Sequence, residues 1–164
     1  MQRSIRKDFP KIGWILILVL PILLSACGGP PNVDWELTIT GDVEIPTTFT
    51  LQELAEMPQT NLDDVLMEKS RGEDEVRSFT GVKMSTLFEI VGAPEDYTSI
   101  TAKAADGYAI EISKDEMVNA IVALKDSGEW VIEKDPNDGA MRLVTPTTPA
   151  NRWVFQLTEI VVNQ

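Results

Sequence analysis

The chain has no histidine and a single cysteine, Cys27, among 164 residues. Without an imidazole, the Ser-His-Asp and Cys-His machineries are excluded, because that ring carries the proton in both. Zinc sites of the usual His and Cys types are excluded with them. One thiol closes no disulfide within the chain. Positive charge is also scarce: 14 Lys+Arg stand against 26 Asp+Glu, a formal net charge of −12. Such a balance argues against binding nucleic acid, whose phosphates attract basic surfaces. It argues equally against a domain lying flat on anionic lipid. Any side-chain catalysis is left to carboxylates, Lys, Tyr, Arg, Ser or Thr.

What is present begins with an address. Arg3, Arg6, Lys7 and Lys11 stand against Asp8, and residues 12–24 carry no charge and are mostly Ile, Leu and Val. A basic segment, a short apolar run and a small-residue cleavage site make a signal peptide. The apolar run is shorter than the roughly 20 residues that span a bilayer. Leu24-Ser25-Ala26-Cys27 closes it and resembles the bacterial lipobox, in which the cysteine becomes residue one and is lipidated. The expected organisation is a lipoprotein signal peptide over 1–26, then a lipidated Cys27 and tether over 27–34, then one domain over 35–164. The expected location is the bacterial cell membrane, with the domain outside the cytoplasm and Cys27 as the anchor. Residues 6–11 also resemble a degraded twin-arginine export signal, with Lys7 in the second arginine's place. The plainer reading is an ordinary basic segment. Removing residues 1–26 takes away four basic residues and one acidic one, which leaves a mature charge of −15 on 138 residues. That length suffices for one domain with its own core.

The mature sequence predicts an α+β fold, a mixed sheet with short inserted helices. Residues 34–40 alternate as a half-buried strand. Residues 47–49 predict a second strand, and Thr50-Leu51-Gln52-Glu53 is a capping box that opens a helix stopped by Pro58. Residues 62–67 predict a strand, and the charged stretch 69–77 an exposed loop or hairpin tip. Met84, Leu87, Phe88 and Val91 recur at helical spacing, with Gly92 as the stop. Residues 99–104 and 108–112 form a hairpin around Asp106-Gly107. Ser113-Lys114-Asp115-Glu116 predicts a second capping box and a helix through Val118. Residues 121–124 and 142–146 predict strands, and 153–162 a long closing strand. Asp135–Gly139 lacks the ligand spacing of a calcium loop and reads as a turn.

The order of these landmarks resembles the molybdopterin-binding domain of the sulfite oxidase family. The matching pieces are Leu37–Gly41 with Val43 and Pro46, Leu51–Pro58, Phe79-Thr80-Gly81-Val82 running into Leu87 and Gly92, Ala105–Tyr108, Met141–Val144 with Pro146, and Arg152-Trp153-Val154 leading to Ile160. The resemblance implies an oxidoreductase whose molybdenum is bound by a cysteine thiolate, at the end of the strand before the loop leading into Phe79. Here that region reads Leu66-Met67-Glu68-Lys69-Ser70, with no cysteine. A soft metal favours thiolate over the carboxylate of Glu68. The family also grips its pterin with histidine, arginine and a Gly-containing loop. This chain has no histidine, and the loop reads Thr147-Thr148-Pro149-Ala150-Asn151.

The reading is therefore a membrane-anchored, non-catalytic module that binds a small ligand or a protein partner. Its candidate ligand-binding residues are Glu68, Arg77, Tyr108, Arg142 and Arg152, with no catalytic or metal-ligating residue and no cofactor. The alternative is a molybdopterin-dependent oxidoreductase with no cysteine ligand to the metal. A third reading is an assembly lipoprotein beside a redox or transport complex, with Trp130 as a binding surface; packing under the sheet is the plainer place for that ring.

Overall fold

A computed structural model describes residues 28–164. The signal peptide expected over 1–26 and the lipidation expected at Cys27 fall outside the described residues. The chain runs β1 (Glu36–Gly41), β2 (Thr47–Thr50), α1 (Leu51–Glu56), β3 (Thr60–Met67), β4 (Glu75–Lys83) and α2 (Met84–Val91). It continues through β5 (Ser99–Ala104), β6 (Ala109–Ser113), β7 (Ile121–Asp126), β8 (Glu129–Trp130), α3 (Val131–Lys134), β9 (Arg142–Val144) and β10 (Leu157–Asn163). The fold is α+β, as expected from the sequence.

The strands form two sheets. One is mixed, in the order β2-β1-β10-β5-β6, with β1 and β10 parallel. The other is antiparallel, β3-β4-β7, with β8 and β9 sharing the far edge of β7. Alternation in β1 buries Leu37 and Ile39 and turns Thr38 outward, where its hydroxyl meets that of Thr48 across the strands at 3.0 Å. The main core lies between the sheets and takes Leu51 and Leu54 from α1 and Met84, Leu87 and Val91 from α2. A second cluster covers the other face of the antiparallel sheet. There Phe79, Ile121, Ala123 and Val144 pack against Ala150 and Trp153. Because β7 is covered on both faces, Ile121-Val122-Ala123-Leu124 is apolar without alternation.

Local chemistry sets the helix ends. Thr50 and Glu53 form the full reciprocal capping box at α1. Gly92 ends α2 at φ 66°, the left-handed conformation that glycine takes without strain. Gly81 sits at an irregularity in the β4–β7 register, where an added Cβ would come within 2.0 Å of the Val122 carbonyl oxygen. Only glycine fits there, which explains that landmark of the sequence.

Four expectations need correction. Residues 75–77 belong to β4 rather than to the charged loop, because they pair with 65–67 of β3. Tyr108 precedes β6 and belongs to the turn. The second capping box is half made: Glu116 accepts from the Ser113 amide and hydroxyl, but the helix is one 3-10 turn, Asp115–Met117, and Ser113 returns no bond to it. The closing strand starts at Leu157, not Trp153. Gln156 has φ 51°, and Val154 pairs instead with Leu143 of β9. Strand β8 and helix α3 had no sequence expectation. Trp130 is packed against the core at 9 % exposure, the plainer of its two placements.

Candidate functional site

The segment between β9 and β10 carries Arg152 and meets Glu68, Tyr108 and Arg142, whereas Arg77 connects to it only through Asp126, which it shares with Arg142. The Ala150 amide donates to the Glu68 carbonyl at 3.0 Å, which ties the end of β3 to this segment. The Glu68 side chain itself is exposed. The Tyr108 hydroxyl lies 3.5 Å from the Asn151 carbonyl, a long and weak contact. A shallow cleft of about 330 Å³ opens here, lined by Ala104, Asp106, Tyr108, Asn151, Trp153 and Phe155 among others. A larger depression of about 400 Å³, lined by Met84, Phe88, Tyr97 and Met117 among others, contains none of the five. Of the five candidates only Tyr108 lines the smaller cleft, and Glu68 and the three arginines do not.

The three arginines reach this neighbourhood already occupied. Arg152 donates to both oxygens of Glu116, at 2.7 and 2.9 Å, and to the Glu111 carbonyl at 2.8 Å. This forked geometry is the strong arrangement for a guanidinium and a carboxylate. Its hydrogen bonds from Arg152 hold the Glu116 carboxyl down to about 2. Arg77 donates to Glu75 at 2.7 Å and to Asp126 at 2.6 Å. Arg142 is 1 % exposed and donates to Asp138 at 2.6 Å. Its guanidinium lies 4.0 Å from the centre of the Phe155 ring and 5.6 Å from that of Phe79. Phe79 in turn meets Trp153 edge to face at 5.4 Å.

Asp126, at the end of β7, is the shared partner. It is 1 % exposed and accepts from Lys134 at 2.8 Å, Ser127 at 2.9 Å and Arg77, while Arg142 Nη1 stands 3.5 Å away. Burial works against its charge, but bonds from Lys134, Arg77 and Ser127 outweigh it and hold the carboxyl below its ordinary value. Burial lowers the Arg142 value, against the attraction of Asp138 and Asp126. Two of its nitrogens, Nε and Nη1, have no hydrogen-bond partner among the described residues.

Sequence reasoning named the arginines but missed Asp126, Asp138 and Glu116, which neutralise them. Asp138 was within reach, since it stands four residues before Arg142. A charge inside the apolar run Met141–Val144 also demands a partner. Asp126 and Glu116 are distant in sequence from the residues they bind and carry no such signal.

The chain belongs to the oxidoreductase molybdopterin binding domain family, whose model matches residues 27–164. Among solved structures it is similar to the sulfane dehydrogenase SoxCD from Paracoccus pantotrophus, with a TM-score of 0.67 at 20 % identity. That match covers 79 % of this chain and 38 % of the other, so the chain spans well under half of that protein's length. At this identity the likeness establishes the fold. Among curated proteins none matches.

The family binds molybdopterin, and the donor set here does not suit a thiolate-ligated metal. The end of β3 offers buried Met67 and exposed Glu68, and the chain's one thiol is Cys27. Among the described residues no group of three or more His, Cys, Asp or Glu converges on one point.

Two variants test this arrangement. Asp126→Asn leaves three cations around a neutral amide and is expected to cost about 3 kcal/mol in urea unfolding, while the exposed control Asp63→Asn changes stability by less than about 0.5 kcal/mol. Glu116 has a folded value of about 2, below its unfolded value of about 4.3. Its stabilisation is therefore present above the unfolded value and lost as pH falls through the folded one. Glu116→Gln should melt below the parent at pH 7, and the two melting curves should converge as pH falls toward 2.

Proposed function

We propose that this chain is a lipid-anchored extracytoplasmic lipoprotein of a bacterial membrane, whose molybdopterin-domain fold binds a small ligand or a protein partner without redox catalysis. The observation that carries this reading is the state of the arginines. Arg77 and Arg152 are spent on the protein's own carboxylates, and Arg142 is buried with Asp138. An anionic cofactor would have to displace those pairs. The lipobox at Leu24–Cys27 supports the anchor, and lipidation there would consume the chain's only thiol. Two or more acyl chains hold a protein at a membrane durably, where a single chain does not. The cleft of about 330 Å³ sits at the lower end of small-molecule pockets. Its walls combine the aromatic faces of Trp153 and Phe155 with the hydroxyl of Tyr108, which suits a small, flat, weakly polar ligand or an inserted side chain.

A second reading keeps the family's activity, with molybdopterin held through its pterin and oxygen ligands on the metal. Two observations favour it: membership of the family, and the two unpaired nitrogens of buried Arg142.

The two readings separate in one preparation. The full-length chain is expressed in a host that makes molybdenum cofactor and purified from its membranes. Molybdenum is then assayed by mass spectrometry and oxidised pterin by fluorescence. The proposal expects neither at a level approaching one per chain. Near-stoichiometric metal and pterin would replace it with the second reading, and pterin alone would mark a retained pocket without its metal.

A further inference from the structure

The chain enters the fold at the end of the mixed sheet that also carries the cleft. Gly28 and Gly29 are exposed, and an added Cβ at either would touch nothing. The grip begins at Pro31, whose carbonyl accepts from the Gln52 side chain at 3.1 Å and from the Val33 amide at 3.0 Å. Val33 and Trp35 then pack against the main core, and the Trp35 indole donates to the Leu157 carbonyl at 2.9 Å. The incoming chain is thus fastened at the starts of β1 and β10.

Strand registers show which other elements share that end. Leu157 at the start of β10 pairs with Ala104 at the end of β5. The β5–β6 turn follows immediately, and Ala109 pairs back with Lys103. The Ala105 amide donates to the Gln156 carbonyl at 2.9 Å. Ala104, Asp106 and Tyr108 line the cleft together with Ala150, Asn151, Trp153 and Phe155 from the approach to β10. The tether and the cleft therefore occupy the same end of the mixed sheet. The opposite end carries Gly41-Asp42, where the Asp42 amide bonds to the Val162 carbonyl, and the Thr98 amide bonds to that of Asn163.

Length turns shared position into orientation. Four residue steps separate Cys27 from Pro31, so a fully extended tether reaches about 14 Å. The six residues of β1 span about 20 Å. If Cys27 is lipidated, the tether is too short for the domain to stand on its Asp42 end, and its negative charge argues against lying flat on anionic lipid. The end that remains is acidic, with Asp34, Glu36, Glu53 and Asp106 all exposed. Anionic headgroups repel such a surface, so it stands off the lipid instead of inserting.

We infer that the cleft faces the bilayer across a gap narrower than a protein domain. Bulky proteins diffusing outside the cell are kept from it. Small molecules and chains embedded in the same bilayer are not. This rests on the proposed lipid anchor. The test uses the full-length chain in anionic vesicles, with a second cysteine placed at exposed Ala105 (Ala105→Cys) or at exposed Asp42 (Asp42→Cys). Each is labelled with a small maleimide and with a bulky polyethylene glycol maleimide, and the intact mass of the same sample reports acylation of Cys27. Expected is equal labelling of both positions by the small reagent, with the bulky one several-fold slower at Ala105→Cys alone. Inserting about 20 Gly/Ser residues between Gly29 and Pro30 should remove that difference, since a flexible chain of that length frees the domain to turn. Acylated protein with equally fast bulky labelling at both positions would overturn the orientation. Protein with no acyl mass would overturn the anchor itself.

Discussion

The arrangement turns on one buried carboxylate. Asp126 ends β7 at 1 % exposure and collects Arg77 from β4, Lys134 from α3 and the hydroxyl of Ser127, with Arg142 of β9 close by. Taking such a charge out of water costs several kcal/mol unless donors replace the water. Here they do, and in doing so they pin three strands of the antiparallel sheet and helix α3 to one point. Arg142 is held as tightly from the other side, between Asp138 and the ring of Phe155. The geometry commits these basic groups to the fold, apart from Nε and Nη1 of Arg142, which have no hydrogen-bond partner among the described residues.

That constraint separates what the chain shares with its family from what it does with it. The two-sheet α+β architecture follows the family's fold. The positive charges near the cleft are paired internally, and Arg152 with Glu116 repeats the pattern at the outer rim. What stays open to solvent is the phenol of Tyr108 and a partly exposed aromatic floor at Phe155. A surface of that kind recognises shape and a few hydrogen bonds rather than charge. The negative balance of the whole chain points the same way, since it repels polyanions from every side.

Much of the fold was legible because local and tertiary demands agreed. The alternation of Leu37 and Ile39, the Thr50–Glu53 box and the hairpin around Asp106-Gly107 all appear where the pattern places them. The failures came where a tertiary contact decided. Trp153-Val154-Phe155 looks like the front of a strand, but Trp153 is drawn under Phe79, with its indole donating to Thr145. Glu129–Trp130 is too short to show a period, and its place depends on the Ser127-Gly128 turn, where both residues have positive φ. Among the site residues, the arginines stood out by type. Their partners did not, because Arg152 meets Glu116 across 36 residues and Arg77 meets Asp126 across 49.

We propose that the positive charges near the cleft serve the fold, not an anionic cofactor. Ligand linkage tests it directly, because any group that binds only the native state raises the melting temperature. At a hundredfold excess over Kd that stabilisation is about 2.7 kcal/mol, which for a domain of this size is a rise of about 10 °C. The measurement compares thermal melting of the membrane-purified chain from a host that makes molybdenum cofactor and from one that cannot. The account predicts coincident transitions. A transition higher by about that amount in the cofactor-producing host would show that the fold holds the family's cofactor after all, and would contradict the account.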